Sequence, residues 1–182
     1  MHDIHTFGAP VHKAANKQPV VLPDEIQQAY ALLTGSHECR FYEYHRYTIG
    51  SNEFASRHTS LRNSTVFYQP ADSPTLVPGV IRQIFLPTGD ANKVFLAIHQ
   101  HLPVRWRSTK WDPFAAFPHF GASIWSKSTQ DQVDIIPSTQ RIYATDLQPW
   151  DGDQLVMKPI IEVRVASSRK WGWHVECTLQ DF

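Results

Sequence analysis

The chain has 182 residues, 42% hydrophobic, 12% aromatic and 19% charged, which is enough for one domain with a core and too apolar for a wholly disordered polymer. Its 17 basic and 17 acidic side chains cancel, so attraction of the whole molecule to nucleic acid or an anionic membrane is disfavoured and only a local patch could supply it. Thirteen prolines against eight glycines predict short segments with stiff connections and no long helices.

Residues 1–21 carry three histidines, two prolines and little periodic hydrophobicity and read as a loosely held arm, leaving 22–182 as a single β-rich domain. Met1 to Pro10 has no basic region followed by an apolar run, so no secretory leader is expected. Ile26, Ala29, Tyr30 and Leu33 then fall at i, i+3, i+4 and i+7, one face of a short helix. Pro23 opens it, Asp24 and Glu25 suit the positive end of its dipole, and Gly35 stops it.

Cys39 to Tyr47 reads as an edge strand whose tyrosines are half-buried, with a Tyr/Arg binding strip as the sharper alternative. Ser51 to Asn63 is polar and reads as a loop or weak strand, and Thr65 to Gln69 as a compact strand. The clearest signal is Val77 to Pro103: two apolar, β-branched runs, Val80 to Leu86 and Val94 to Ile98, joined by a turn containing Gly89, Asp90 and Asn92. Alternation places Phe95 and Ile98 on opposite faces. A long aromatic connection follows, from Arg105 to Phe120, and long loops in compact domains are more often functional than accidental.

Short strands are expected at Ala122 to Ser126 and Val133 to Ile136, a strand or helical turn at Arg141 to Ala144, and a turn at Asp146 to Asp153. A strand pair, Leu155 to Met157 with Ile160 to Val165, comes next, and Trp171 to Leu179 alternates as a half-buried strand. Many short strands separated by turns indicate a small β-barrel or sandwich rather than an α/β domain. No apolar run approaches the roughly 20 residues that span a bilayer. Cys39 and Cys177 are read as two free thiols in a reducing, intracellular compartment, with a disulfide between them as the alternative.

No catalytic signature stands out. The chain lacks a Gly-x-Ser-x-Gly elbow, a dinucleotide GxGxxG and a phosphate-binding GxxxxGK[ST]. His99 and His101 alternate along one strand, with His119 not far behind, and could chelate a metal. No HExxH, CxxC or carboxylate at ligand spacing accompanies them, so structural histidines are favoured and a metal-dependent hydrolase is the minor alternative. No cofactor is expected.

The better candidate lies in the aromatic connection. Arg105, Arg107 and Lys110 interleave with Trp106 and Trp111, a pattern that could track a phosphate backbone and stack on bases. Together with Tyr68, Trp125 and Trp150, the same tryptophans could instead form an aromatic cage around a cation such as a methylated lysine. Rings tucked onto the core with their cations in water are the bland alternative.

Several short motifs also carry a resemblance: Val66-Phe67-Tyr68, Pro78-Gly79, Asp112-Pro113-Phe114, Phe117-Pro118-His119-Phe120, Ile135-Ile136-Pro137 and Leu147-Gln148-Pro149-Trp150-Asp151. The stretch from Leu22 to Val165 resembles an accessory module of transposon-encoded proteins of mushroom-forming fungi, the group associated with KDZ-type and Tnp2-like transposases. Its layout is similar to a bromo-adjacent-homology (BAH) domain. That resemblance implies an SH3-like barrel with one N-terminal helix and long loops. It also implies a non-catalytic module that contacts a protein or histone-tail partner in chromatin, hence the nucleus. Nucleic-acid binding through residues 105–111 is the alternative. The sequence leaves the oligomeric state open.

Overall fold

A computed structural model describes residues 12–14, 18–90, 93–104, 113, 114 and 116–160. Among these the chain is mainly β and contains a closed six-stranded barrel. Its strands are β1 (His12–Ala14), β2 (Phe41–Ile49), β3 (Asn52–Ala55), β4 (Thr65–Tyr68), β5 (Val77–Pro87), β6 (Phe95–Pro103), β7 (Ser123–Pro137), β8 (Ile142–Pro149) and β9 (Gln154–Pro159). Helix α1 spans Asp24–Thr34, and α2 is a single turn at Leu61–Ser64. Neighbouring strands run in the order β5-β4-β8-β9-β7-β6, and β6 pairs back onto β5 to close the ring, leaving none of those six as a free edge. β2 extends the sheet from β5 and carries β1 and β3.

The Val77–Pro103 hairpin is the pair that closes the barrel, joined in register from Gly79↔Gln100 to Phe85↔Phe95. Its two faces feed two cores. Tyr68, Ile81, Ile84, Leu96, Ile98 and Ile136 belong to one buried cluster. Phe85, Phe95, Ala97, Val133 and Ile135 join Leu22, Ile26 and Tyr30 of the helical segment in the other. A helix has no room inside six strands, so the second cluster is the outer face and the first is the interior. Phe95 and Ile98 therefore do face opposite ways.

Helix α1 covers that outer face through Tyr30, whose ring meets Phe41, Phe85 and Phe95 edge-on at 5.4, 5.8 and 5.2 Å, the geometry favoured by ring quadrupoles. Gly35 ends the helix in the left-handed region, at φ 68°, with its N–H donating to Ala31 O. Ile26 and Tyr30 are buried as the periodicity predicts, whereas Leu33 stays 47% exposed.

Several segments differ from the expectations. The arm contributes β1, and Val20 bridges Phe41, so backbone pairing ties it down at those points. The polar stretch Ser51 to Asn63 holds the short strand β3, as one of its two readings had it, and adds the start of α2, whose N-cap Ser60 accepts from the Asn63 N–H. The two strands expected within 122–136 are one bulged strand, β7, and β8 continues through Pro149 where a turn was expected. The tyrosine strand is less open than an edge: Tyr44 and Tyr47 are buried in the interior cluster, which removes them from a binding strip. The Trp171 to Leu179 strand lies outside the described residues, as does Cys177. Cys39 is a free, exposed thiol.

Candidate functional site

The histidines of β6 have a structural task. From His99 to His101 β6 advances two residues while β7 runs from Val133 to Thr129, and from His101 to Pro103 β7 runs on to Trp125. Each step leaves extra β7 residues without a ladder partner, and a backbone carbonyl stranded in a wall needs a donor. His99 Nδ1 lies 2.8 Å from Gln130 O, and His101 Nδ1 lies 2.8 Å from Ser126 O. One histidine thus closes each bulge. A carbonyl oxygen can only accept, so both rings carry their proton on Nδ1. His119 stands apart from them on an exposed 3-10 turn, Pro118–Phe120, with its ring 4.5 Å from that of Phe120. Among the described residues, no group of three or more His, Cys, Asp or Glu side chains is arranged to hold a metal.

Of the proposed aromatic set, Tyr68, Trp125 and Trp150 are among the described residues. Tyr68 is fully buried in the barrel, where its hydroxyl donates to Asp134 Oδ2 at 2.6 Å. Burial, then the bond to Asp134, raises its pKa far above the ordinary tyrosine value. It is a structural cross-link and presents no face to a ligand. Trp125 is half-buried on β7 beside Pro103 and Leu155, with Nε1 donating to Ser123 Oγ at 2.7 Å. Trp150 is 51% exposed at the end of β8. Arg105, Trp106, Arg107, Lys110 and Trp111 lie outside the described residues.

Around Trp150 the structure assembles side chains that the sequence reading had not nominated. Phe114 meets it edge-on at 6.0 Å. Phe117, whose N–H bonds to Phe114 O, and Phe120 are each 50% exposed and pack on one another at 5.9 Å. On the other side, the Trp150 N–H donates to Gln154 O. Gln154 lines a cavity of about 420 Å³ with Leu102, Pro103, Val104, Ser126, Ser128 and Asp153. Two aromatic pairs, Phe117 with Phe120 and Phe114 with Trp150, are thus linked through the Phe117 N–H to Phe114 O bond, and Gln154, bonded to the Trp150 backbone, borders a mixed polar and apolar cavity. The signal for this clustering was present: four aromatic rings and two prolines in eight residues of loop, Pro113 to Phe120, with His119 counted as a ring.

Two further cavities are more polar. One of about 250 Å³ lies among Asn52, Glu53, Arg62, Asn63 and Thr145, and one of about 310 Å³ among Tyr30, Glu38, Asp90 and Lys93. None of these three cavities is lined by Tyr68, Trp125 or Trp150. No helix among the described residues is long and apolar enough to cross a membrane. Comparison with protein-family models, with curated proteins and with solved structures found no match.

Proposed function

We propose that this protein is a non-catalytic interaction module that holds a protein partner on these aromatic pairs and in the cavity beside Gln154. The observation that carries this reading is the exposure of Phe117, Phe120 and Trp150, with half-buried Phe114 packed on Trp150 and its carbonyl accepting from the Phe117 N–H. Clustered exposed rings cost solvation free energy that a monomer has no reason to keep, and such rings commonly anchor interfaces. The BAH-like resemblance adds chromatin, and so the nucleus, as the setting for that partner.

Panning a random-peptide display library, alongside an array of histone-tail peptides, against the intact chain tests this. Trp150→Ala and Phe117→Ser are expected to weaken selected peptides by tenfold or more while leaving the melting temperature unchanged. Binding equal to wild type in both variants, or no peptide bound by wild type, refutes the reading. Binding of nucleic-acid probes that falls steeply with salt would point instead to a basic surface.

A further inference from the structure

We propose that His101 is an acid-sensitive latch that holds a β7 bulge against β6 and so controls the cavity beside Gln154; control of the cavity rests on the binding surface proposed above. The latch follows from which ring atoms are used. In His99 and His101 alike, Nδ1 donates to a bulge carbonyl, Gln130 O or Ser126 O. Nε2 of each is buried and has no hydrogen-bond partner. The residues themselves are only 9% and 2% exposed. A neutral ring leaves a lone pair at Nε2, which a dry site tolerates. A second proton on His101 would place a full charge in a buried site where Nε2 has no hydrogen-bond partner among the described residues, a far larger penalty.

Among the described residues, the charged groups around His101 do not relieve that penalty. Arg57 repels a charged ring. Lys127 directs its ammonium to Gly152 O at 2.6 Å, and Asp131 is exposed on the outer bulge. Asp134, opposite Ile98, is engaged by Tyr68. Val77 to Ile81 of β5 contributes no ionisable side chain, and on β6 the only other titratable group is His99. Burial, reinforced by Arg57, lowers the His101 pKa below its ordinary 6.5, against an opposing pull from the backbone at Ser126 and Ser128.

The sign is then fixed. The unfolded or released ring binds a proton more readily than the latched one, so the latch is at full strength above pH 6.5 and weakens as pH falls from 6.5 toward the folded value. Release is local because Lys127, Ser128, Asp131 and Gln132 are already exposed, so detaching them uncovers little apolar surface. Ser126 and Ser128 are also a wall of the 420 Å³ cavity, and a bulge that lets go takes that wall with it.

Amide hydrogen exchange on the intact chain between pH 7.5 and pH 5, corrected for intrinsic exchange chemistry, reads the latch directly. Protection over residues 126–132 is expected to fall by up to about tenfold per pH unit below 6.5, the limit for one proton, while amides of β4 and β5 hold. His101→Asn supplies an N–H near the Nδ1 position and cannot titrate, so its protection is expected to stay flat. No loss in wild type, or equal loss in both proteins, overturns the latch. Ring nitrogen NMR of wild type keeps the test independent of how the variant folds: a His101 that stays neutral and Nδ1-protonated to lower pH than an ordinary histidine supports the latch, and one that gains its second proton at or above 6.5 overturns it. A working latch with unchanged peptide affinity between pH 7.5 and 5 overturns control of the cavity but leaves the surface standing. Loss of all peptide binding at every pH removes the surface but leaves the latch.

Discussion

Gly79 is the tightest point in the barrel wall and gives the sharpest test of the closure. A Cβ built there would lie 2.5 Å from Ile98 Cγ2, 2.8 Å from Tyr68 Cε1 and 3.0 Å from His99 O. Ordinary contacts begin near 3.4 Å, so alanine needs about an ångström of movement from neighbours that have little freedom. Ile98 and Tyr68 are both fully buried, and the Tyr68 ring is held at its far end by Asp134. Overpacking of this kind costs about 1–3 kcal/mol, against at most about 1 kcal/mol gained from a stiffer unfolded chain. A net loss of about 2 kcal/mol is expected for Gly79→Ala. With a urea m-value of about 1–3 kcal/mol/M, tryptophan-monitored unfolding should show its midpoint reduced by roughly 1 M with the slope unchanged. Gly50→Ala is the control: φ is +62° but nothing lies within 4 Å, so only the backbone penalty of about 1 kcal/mol applies. A Gly79→Ala loss under 0.5 kcal/mol, or one smaller than the Gly50→Ala loss, would refute closure of β5 onto β6 at this spacing.

Three further outcomes are expected. Tyr68→Phe should cost about 1–2 kcal/mol in urea unfolding, because Asp134 loses a charge-assisted donor, and a double-mutant cycle with Asp134→Asn should give a coupling above about 0.5 kcal/mol. Additive losses would remove the cross-link. Tyr30→Ala should cost about 3–5 kcal/mol by emptying the space between α1 and the three phenylalanines; a loss below 1 kcal/mol would mean that α1 does not seal the outer core. Phe120→Ser should change stability by no more than about 0.5 kcal/mol, as expected for an exposed side chain, while weakening peptide binding. A large drop in its melting temperature would instead make the aromatic pairs part of the core.

The Val77–Pro103 hairpin and α1 were legible because their signals are local. Hydrophobic runs bounded by Pro and Gly marked the strands, and an i, i+3, i+4 stripe marked the helix. Closure of the barrel was not, since nothing in β4 announces that Val66 pairs with both Gly79 and Ala144. The β7 bulges were hidden for a related reason: polar residues from Ser126 to Gln132 look like a turn between two strands, and only the register against β6 shows them to be one strand with extra residues. His99 and His101 drew attention because alternating histidines suit a metal. The structure engages their Nδ1 atoms with backbone carbonyls, a partnership set by tertiary pairing. Tyr68 was nominated for its ring, yet it faces the interior, because a strand alternation alone does not say which face is inside. Trp150 was nominated as a cage ring and is exposed, while Phe114, Phe117 and Phe120 were not nominated as site residues because the loop lacks any period that would reveal a shared face.

The central claim is that the barrel is scaffold and the aromatic pairs, Phe117 with Phe120 and Phe114 with Trp150, are the working surface. Hydrogen-exchange footprinting of the intact chain with and without a display-selected peptide tests it most directly. The claim predicts new protection confined to residues 114–120 and 150–154, with the cavity wall at 126–128, and none elsewhere among the described residues. Protection centred on the Glu53–Arg62–Asn63 cavity, or spread evenly around the barrel, would contradict it.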